Sequence, residues 1–174
     1  MIVVESFWEE VSGAILRQGD YLLDCPVPMF QEQLDDAGRQ SFPIREYDLV
    51  VMTQSCDLEN QKIALVASCP IYPIVEYEKE NPEFAKKGRW EEVRKGRVEA
   101  LYLLSSPTNP ADNRGTLVVD FREIYSLPFD LLTKQAEMAG TRWRLKSPYL
   151  EHFSQAFARF FMRVGLPSSI PPFK

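Results

Sequence analysis

The sequence predicts an α+β fold: a small, strongly bent antiparallel β-sheet or barrel with an N-terminal helix and a long C-terminal amphipathic helix. Three observations carry this expectation. Short apolar runs alternate with clusters of Pro, Gly, Asn and Asp, the punctuation of strands and turns. Ser6, with Glu9 three residues on, has the form of a capping box that opens a helix. Near the other end, Leu150, Phe153, Phe157, Phe160, Phe161 and Val164 share an arc of about 100° on a helical wheel.

The first helix would carry Trp8, Val11, Ala14 and Ile15 and end near Gly19, a residue suited to the C′ position. Asp20 to Cys25 reads as a short strand stopped by Pro26-Val27-Pro28. Residues 29–46 read as a long surface loop with Asp35-Asp36-Ala37-Gly38 at its tip. Leu49 to Cys56 is the next strand and Lys62 to Cys69 its partner, with Asp57-Leu58-Glu59-Asn60-Gln61 as the hairpin loop. Pro70 and Pro73 then bracket a further short extended piece.

The mixed-sign stretch from Glu76 to Arg97, around Phe84, Trp90 and Val93, predicts a short helix or helical excursion with a solvated face. Val98 to Leu104 and Thr116 to Phe121 read as strands, and Arg122 to Leu127 continues the second of them through a bend. Leu131 to Met138 is a helix or a loop, and Thr141 to Leu145 is a strand. Ser147-Pro148 starts the last helix and Gly165-Leu166-Pro167 stops it. The whole chain reads as a single domain: a barrel-like core over 19–145, a helix over 147–165 and an extended tail over 166–174.

With 45% hydrophobic and 26% charged residues, the composition is that of an ordinary globular protein. No apolar run approaches the roughly 20 residues needed to cross a bilayer, and the N-terminus lacks the features of a signal peptide. A cytoplasmic protein without membrane contact is the expectation. Cys25, Cys56 and Cys69 form no CxxC pair, which argues against a disulfide framework. With His152 they match a Cys₃His ligand count, but the hairpin would hold Cys56 and Cys69 on the order of 20 Å apart. No metal and no cofactor are therefore expected.

The net charge of −5 is unevenly spread. From Thr141 onward, Arg142, Arg144, Lys146, Arg159, Arg163 and Lys174 face a single acid, Glu151. His152, Gln155, Arg159 and Arg163 lie together on the helix side opposite the apolar arc. This basic stripe suits a phosphate backbone or a protein partner, or else docking against the acidic remainder of the chain.

The other candidate site is the polar end of the central strand, Gln54-Ser55-Cys56-Asp57. Cys56 is a candidate nucleophile, with Asp57 and His152 as its acid–base partners; Gln54 and Ser55 would help hold a ligand. The alternative is structural, with Cys56 a small buried hydrophobe and Asp57 an Asx-turn residue.

Gly19-Asp20-Tyr21-Leu22-Leu23, the strand Leu49-Val50-Val51-Met52-Thr53-Gln54 and its partner from Ile63 to Cys69 together resemble the PemK/MazF-type toxins over about residues 19–75. That resemblance implies an SH3-like barrel and a place in a toxin–antitoxin or defence-type bacterial system. The family's ribonuclease site uses an Arg-Pro before the central strand, where this sequence has Tyr47-Asp48. The leading expectation is accordingly a non-enzymatic accessory or binding protein that meets nucleic acid or a protein partner through its basic C-terminal helix. A hydrolase or ribonuclease using Cys56, Asp57 and His152 is the alternative, and a structural subunit of a larger complex is the third.

Overall fold

The computed structural model describes residues 6–29, 42–60 and 62–162. In chain order the elements are β1 (Trp8–Ser12), β2 (Asp20–Pro28), β3 (Ile44–Val51), α1 (Ser55–Glu59), β4 (Leu65–Pro73), α2 (Ile74–Glu80), a 3₁₀ turn (Pro82–Ala85) and α3 (Arg89–Arg94). They continue with β5 (Leu101–Ser105), β6 (Thr116–Asp120), β7 (Tyr125–Pro128), α4 (Phe129–Ala139), β8 (Thr141–Leu145) and α5 (Tyr149–Phe161).

The fold is α+β, but the sheet is open and the expected SH3-like barrel is not formed. Its strand order is β1-β8-β2-β3-β4-β6-β5, with β7 also paired to β4, and no ladder joins the terminal strands β1 and β5 among the described residues. Their edges are linked instead by a side chain: the Trp8 indole N–H donates to the Ser105 carbonyl at 2.5 Å.

The expected N-terminal helix is also absent, because its segment forms β1. All five of its residues pair with β8, from Trp8 opposite Leu145 to Ser12 opposite Thr141. A ladder to a distant strand outweighs a helix signal that spans barely two turns. Ser6 still satisfies a nearby backbone group, accepting the Trp8 N–H at 3.2 Å, but it leads into a strand.

The central strand ends at Val51, earlier than its apolar run suggests, and the expected hairpin loop is replaced by α1. Thr53 stops the ladder: its hydroxyl accepts the Ala67 N–H at 2.8 Å. Conversely, β4 runs straight through Pro70, which lies opposite Leu49. On its other side Pro70 falls between the β7 and β6 pairings, where a missing N–H interrupts no ladder. Thr116 to Pro128 follows that side of β4 as two strands separated by a bend, as the sequence reading anticipated.

Side-chain alternation along β3 and β4 gives the sheet two apolar faces. Val50, Cys69 and Ile71 point to one face, where α5 covers them with Phe153, Phe157 and Phe160. Phe153 is fully buried and packs on Phe121 and Tyr102 at 5.6 and 5.3 Å between ring centroids. Leu49, Val51 and Val66 point the other way, against Leu132 and Ala136 of α4 and Leu58 of α1. A third cluster joins α2 and α3 to the end of the sheet through Tyr77, Phe84, Val93, Leu101 and Val118. The amphipathic C-terminal helix is thus present as α5, while the expected extension to 165 and the tail lie outside the described residues. No helix among the described residues is long and apolar enough to cross a membrane.

Candidate binding cleft

The Gln54–Asp57 cluster belongs to the entry of α1, not to a strand end. Gln54 has extended backbone angles and precedes the first helical turn without making a side-chain cap. Ser55 accepts the Gln18 N–H at 3.1 Å, and the Gln18 side chain donates to the Met52 carbonyl at 2.9 Å. Ser55 and the Met52 carbonyl therefore stitch the segment after β3 to the 17–19 turn. Cys56 is exposed, with Gln54 Oε1 at 3.8 Å and Asp57 Oδ1 at 3.9 Å from its sulfur. Both neighbours are acceptors, and neither supplies the positive charge that stabilises a thiolate.

His152 and Gln155 are exposed on α5, as is Arg159, whose Nε lies 3.4 Å from the Gln155 carbonyl; Arg163 lies outside the described residues. No hydrogen bond joins His152 to Cys56 or Asp57 among the described residues. What the fold does bring together is Ser55 with the first turn of α5. Both line an open polar groove with Arg17, Gln18, Arg144 and Glu151.

Two of the basic residues that follow Thr141 are turned inward. Arg142 and Arg144 both bind the fully buried Asp20, and they also donate to the Gly13 and Ile15 carbonyls. Those two guanidinium groups share one carboxylate and fasten the 13–17 turn to the sheet. The thiols are scattered: Cys25 and Cys69 lie in the clusters on opposite faces of the sheet, and Cys56 is at the surface. Burial pushes the Cys25 and Cys69 thiols up to about 12 each. No group of three or more His, Cys, Asp or Glu converges closely enough to hold a metal among the described residues.

A more elaborate site lies at the irregular part of β2. The β2–β3 register shifts between Leu22 and Cys25, a β-bulge that places Asp24 in the left-handed region at φ +50°. Such a conformation costs a non-glycine residue on the order of 1 kcal/mol and needs support from its surroundings. Asp48 supplies it on one side: Oδ1 accepts the Asp24 N–H at 3.0 Å. Gln135 of α4 supplies it on the other, donating to the Leu23 and Asp24 carbonyls at 2.8 and 3.3 Å.

Asp48 also accepts the Tyr21 hydroxyl at 3.2 Å and forms an ion pair with Arg114. Burial, and after it the Asp48 charge, pushes the Tyr21 phenol upward, so it stays protonated and donates. Next to this assembly, Glu10, Trp143 and Tyr21 form one cross-strand row over β1, β8 and β2. The 106–115 loop reaches over the row, and Asp112 accepts the Trp143 indole N–H at 2.9 Å.

Together these parts enclose a cleft of about 420 Å³ with Tyr21 and Trp143 on one wall and Glu10, Asp24 and Asp112 around it. Its one lining guanidinium, that of Arg142, is already bound to Asp20. The sequence reading missed all of these residues. Their signal was faint: acids spaced far along the chain, and a bulge that no local pattern announces.

Comparison of the chain with protein-family models, curated proteins and solved structures gives no match.

Proposed function

We propose that this protein is a non-catalytic binding module that engages a protein partner by seating a lysine or arginine side chain in the cleft beside Trp143. The composition of the cleft carries this reading: three carboxylates stand around two aromatic rings, and the guanidinium in the lining is turned onto Asp20, which it shares with Arg144. A cation over a Trp or Tyr face gains about 0.5–2 kcal/mol, and a partly exposed carboxylate adds about 0.2–1 kcal/mol. One side chain would thus bind only weakly, at about the millimolar level. Useful affinity would come from the rest of the partner. A binding module fits the chemistry better than the Cys56 hydrolase, because the groups that stand beside that thiol, the Gln54 amide oxygen and the Asp57 carboxylate, bring no positive charge to support a thiolate.

The test is an NMR titration with Nα-acetyl-arginine amide, Nα-acetyl-lysine amide and Nα-acetyl-glutamate amide, following the Trp143 indole N–H resonance. The two cationic probes should shift it and the glutamate probe should not. An Asp112→Asn/Glu10→Gln variant should lose the response. Equal shifts with all three probes, or none with any, would remove the proposal.

A further inference from the structure

The outer edge of β5 offers a different kind of site. Its strand is the last in the sheet, and register shows which backbone groups face outward. The Phe121 N–H donates to the Ala100 carbonyl at 2.8 Å, and the Ser106 N–H donates to the Gly115 carbonyl at 3.0 Å. Antiparallel bonding alternates, so Tyr102 and Leu104 also exchange bonds with β6, while Leu101, Leu103 and Ser105 turn their backbone groups outward. Two of those three are used within the chain. The Leu101 N–H donates to the Val98 carbonyl at 3.1 Å, and the Ser105 carbonyl accepts the Trp8 indole. Leu103, between them, has neither its N–H nor its C=O bonded among the described residues.

That edge is the floor of a groove with a wall on each side. Leu101 and Leu103 pack toward α3, and Tyr102 and Leu104 pack toward α5. Near Ser105 the groove is apolar, about 410 Å³ in volume, and bounded by Phe7, Ile74 and Trp90. Toward Leu101 it narrows to about 260 Å³ and carries charges of both signs, from Arg94, Glu99 and Arg159. Arg94 and Leu103 line both halves, which makes the groove continuous.

We propose that this groove takes one extended segment of a partner protein, added as a further strand against β5. Leu103 would exchange backbone hydrogen bonds with the segment. A large apolar side chain would enter between Phe7, Ile74 and Trp90, and a polar residue would lie at the Arg94–Arg159 end. Unpaired N–H and C=O groups on a strand edge are a template for another backbone, and pockets beside the edge select side chains. A second copy of this chain is a poor occupant. Bringing two β5 edges together would drive each copy's α3 and α5 into the other's. The site is independent of the acidic cleft, and either proposal can fail without the other.

The experiment pans random linear heptapeptides on phage against the full chain, then measures amide hydrogen exchange with a synthetic peptide from the selected set. Binding should slow exchange at the Leu103 N–H at least tenfold. N-methylation of the peptide at alternate amides should abolish binding in one parity and leave it intact in the other. Trp90→Ala should weaken the same peptide at least tenfold. The proposal is overturned if no peptide is selected, if Leu103 exchange does not change on binding, or if N-methylation shows no alternation. Slow Leu103 exchange in the free protein would also overturn it. Sedimentation equilibrium would then separate a second copy on the edge from the chain's own residues.

Discussion

Arg142 donates from Nε to the Asp20 carboxylate at 2.9 Å, and neither side chain is more than 2% exposed. Arg144 reaches the same carboxylate from the next outward position on β8. One carboxylate therefore holds two guanidinium groups that lie 122 and 124 residues away in the chain. Removing its charge leaves both arginines uncompensated in a site that water hardly enters. Breaking a buried pair in this way typically costs about 3–5 kcal/mol, far more than the pair contributes when intact. Asp20→Asn should lower stability by about that amount in urea unfolding, while Arg159→Gln on the exposed face of α5 should change it by less than about 0.5 kcal/mol. Equal small effects would mean that the arginines find other acceptors.

The same pair shows where sequence reading stops. The count of basic residues after Thr141 was correct, but Arg142 and Arg144 alternate with Thr141, Trp143 and Leu145 on a strand whose neighbours are not local. Nothing near them in the chain reveals Asp20. Helix α5 was legible because its apolar arc repeats over several turns and needs no partner to be seen. The bend between β6 and β7 was legible for a similar reason, since both halves are apolar runs beside turn residues. Strand β1 was not. Trp8 and Val11 are spaced to share one face of a helix but fall on opposite faces of a strand, and only the ladder to β8 overrides that signal. The cleft at Asp24 depends on a bulge, on Asp48 and on Gln135 together, and no one of these is distinctive alone.

Gly19 sits where the 17–19 turn passes beneath α5. Its φ is +84°, and a Cβ there would come within 2.9 Å of Leu150 Cδ1 and 3.0 Å of Leu145 Cβ. Leu150 can yield by rotating, but Leu145 Cβ is fixed to a strand. Left-handed backbone costs a non-glycine residue about 1–2 kcal/mol before any clash. Gly19→Ala should therefore destabilise by about 2–3 kcal/mol. Gly13, also at positive φ but with open space around it, should show only the backbone part when changed to Ala. Equal losses at the two sites would show that packing against α5 adds nothing.

Cysteine labelling separates surface from core chemistry. Cys56 is exposed, whereas Cys25 and Cys69 are buried with thiols raised to about 12. Iodoacetamide at pH 8 should modify one thiol per folded chain, identified as Cys56 by mass spectrometry, and three after denaturation. The raised thiols also set a sign for alkaline stability. Unfolding lets them ionise near their ordinary value of about 8.5, so the unfolded chain binds fewer protons above that pH. Stability should fall as pH rises from about 8.5 toward 12. A Cys25→Ala/Cys69→Ala variant should lose less than the parent over that range. A parent whose stability is flat across it would contradict the burial of both thiols.

Asp120 predicts the opposite dependence at low pH. Burial alone would raise its carboxyl, but Arg122 and the Tyr77 hydroxyl outweigh burial and hold it below its ordinary value of 3.8. Arg122 Nε donates to Oδ1 at 2.9 Å, and the Tyr77 hydroxyl donates to Oδ2 at the same distance. A carboxylate whose folded value is depressed contributes stability above its unfolded value and loses it as pH falls through the folded one. The parent should therefore lose stability progressively below about pH 4. Asp120→Asn should be less stable than the parent at pH 7, and the gap should close at low pH as the parent's carboxyl becomes protonated. A gap that stays constant from pH 7 to pH 2 would show that shape and hydrogen bonding, not charge, hold the α2 end of the sheet together.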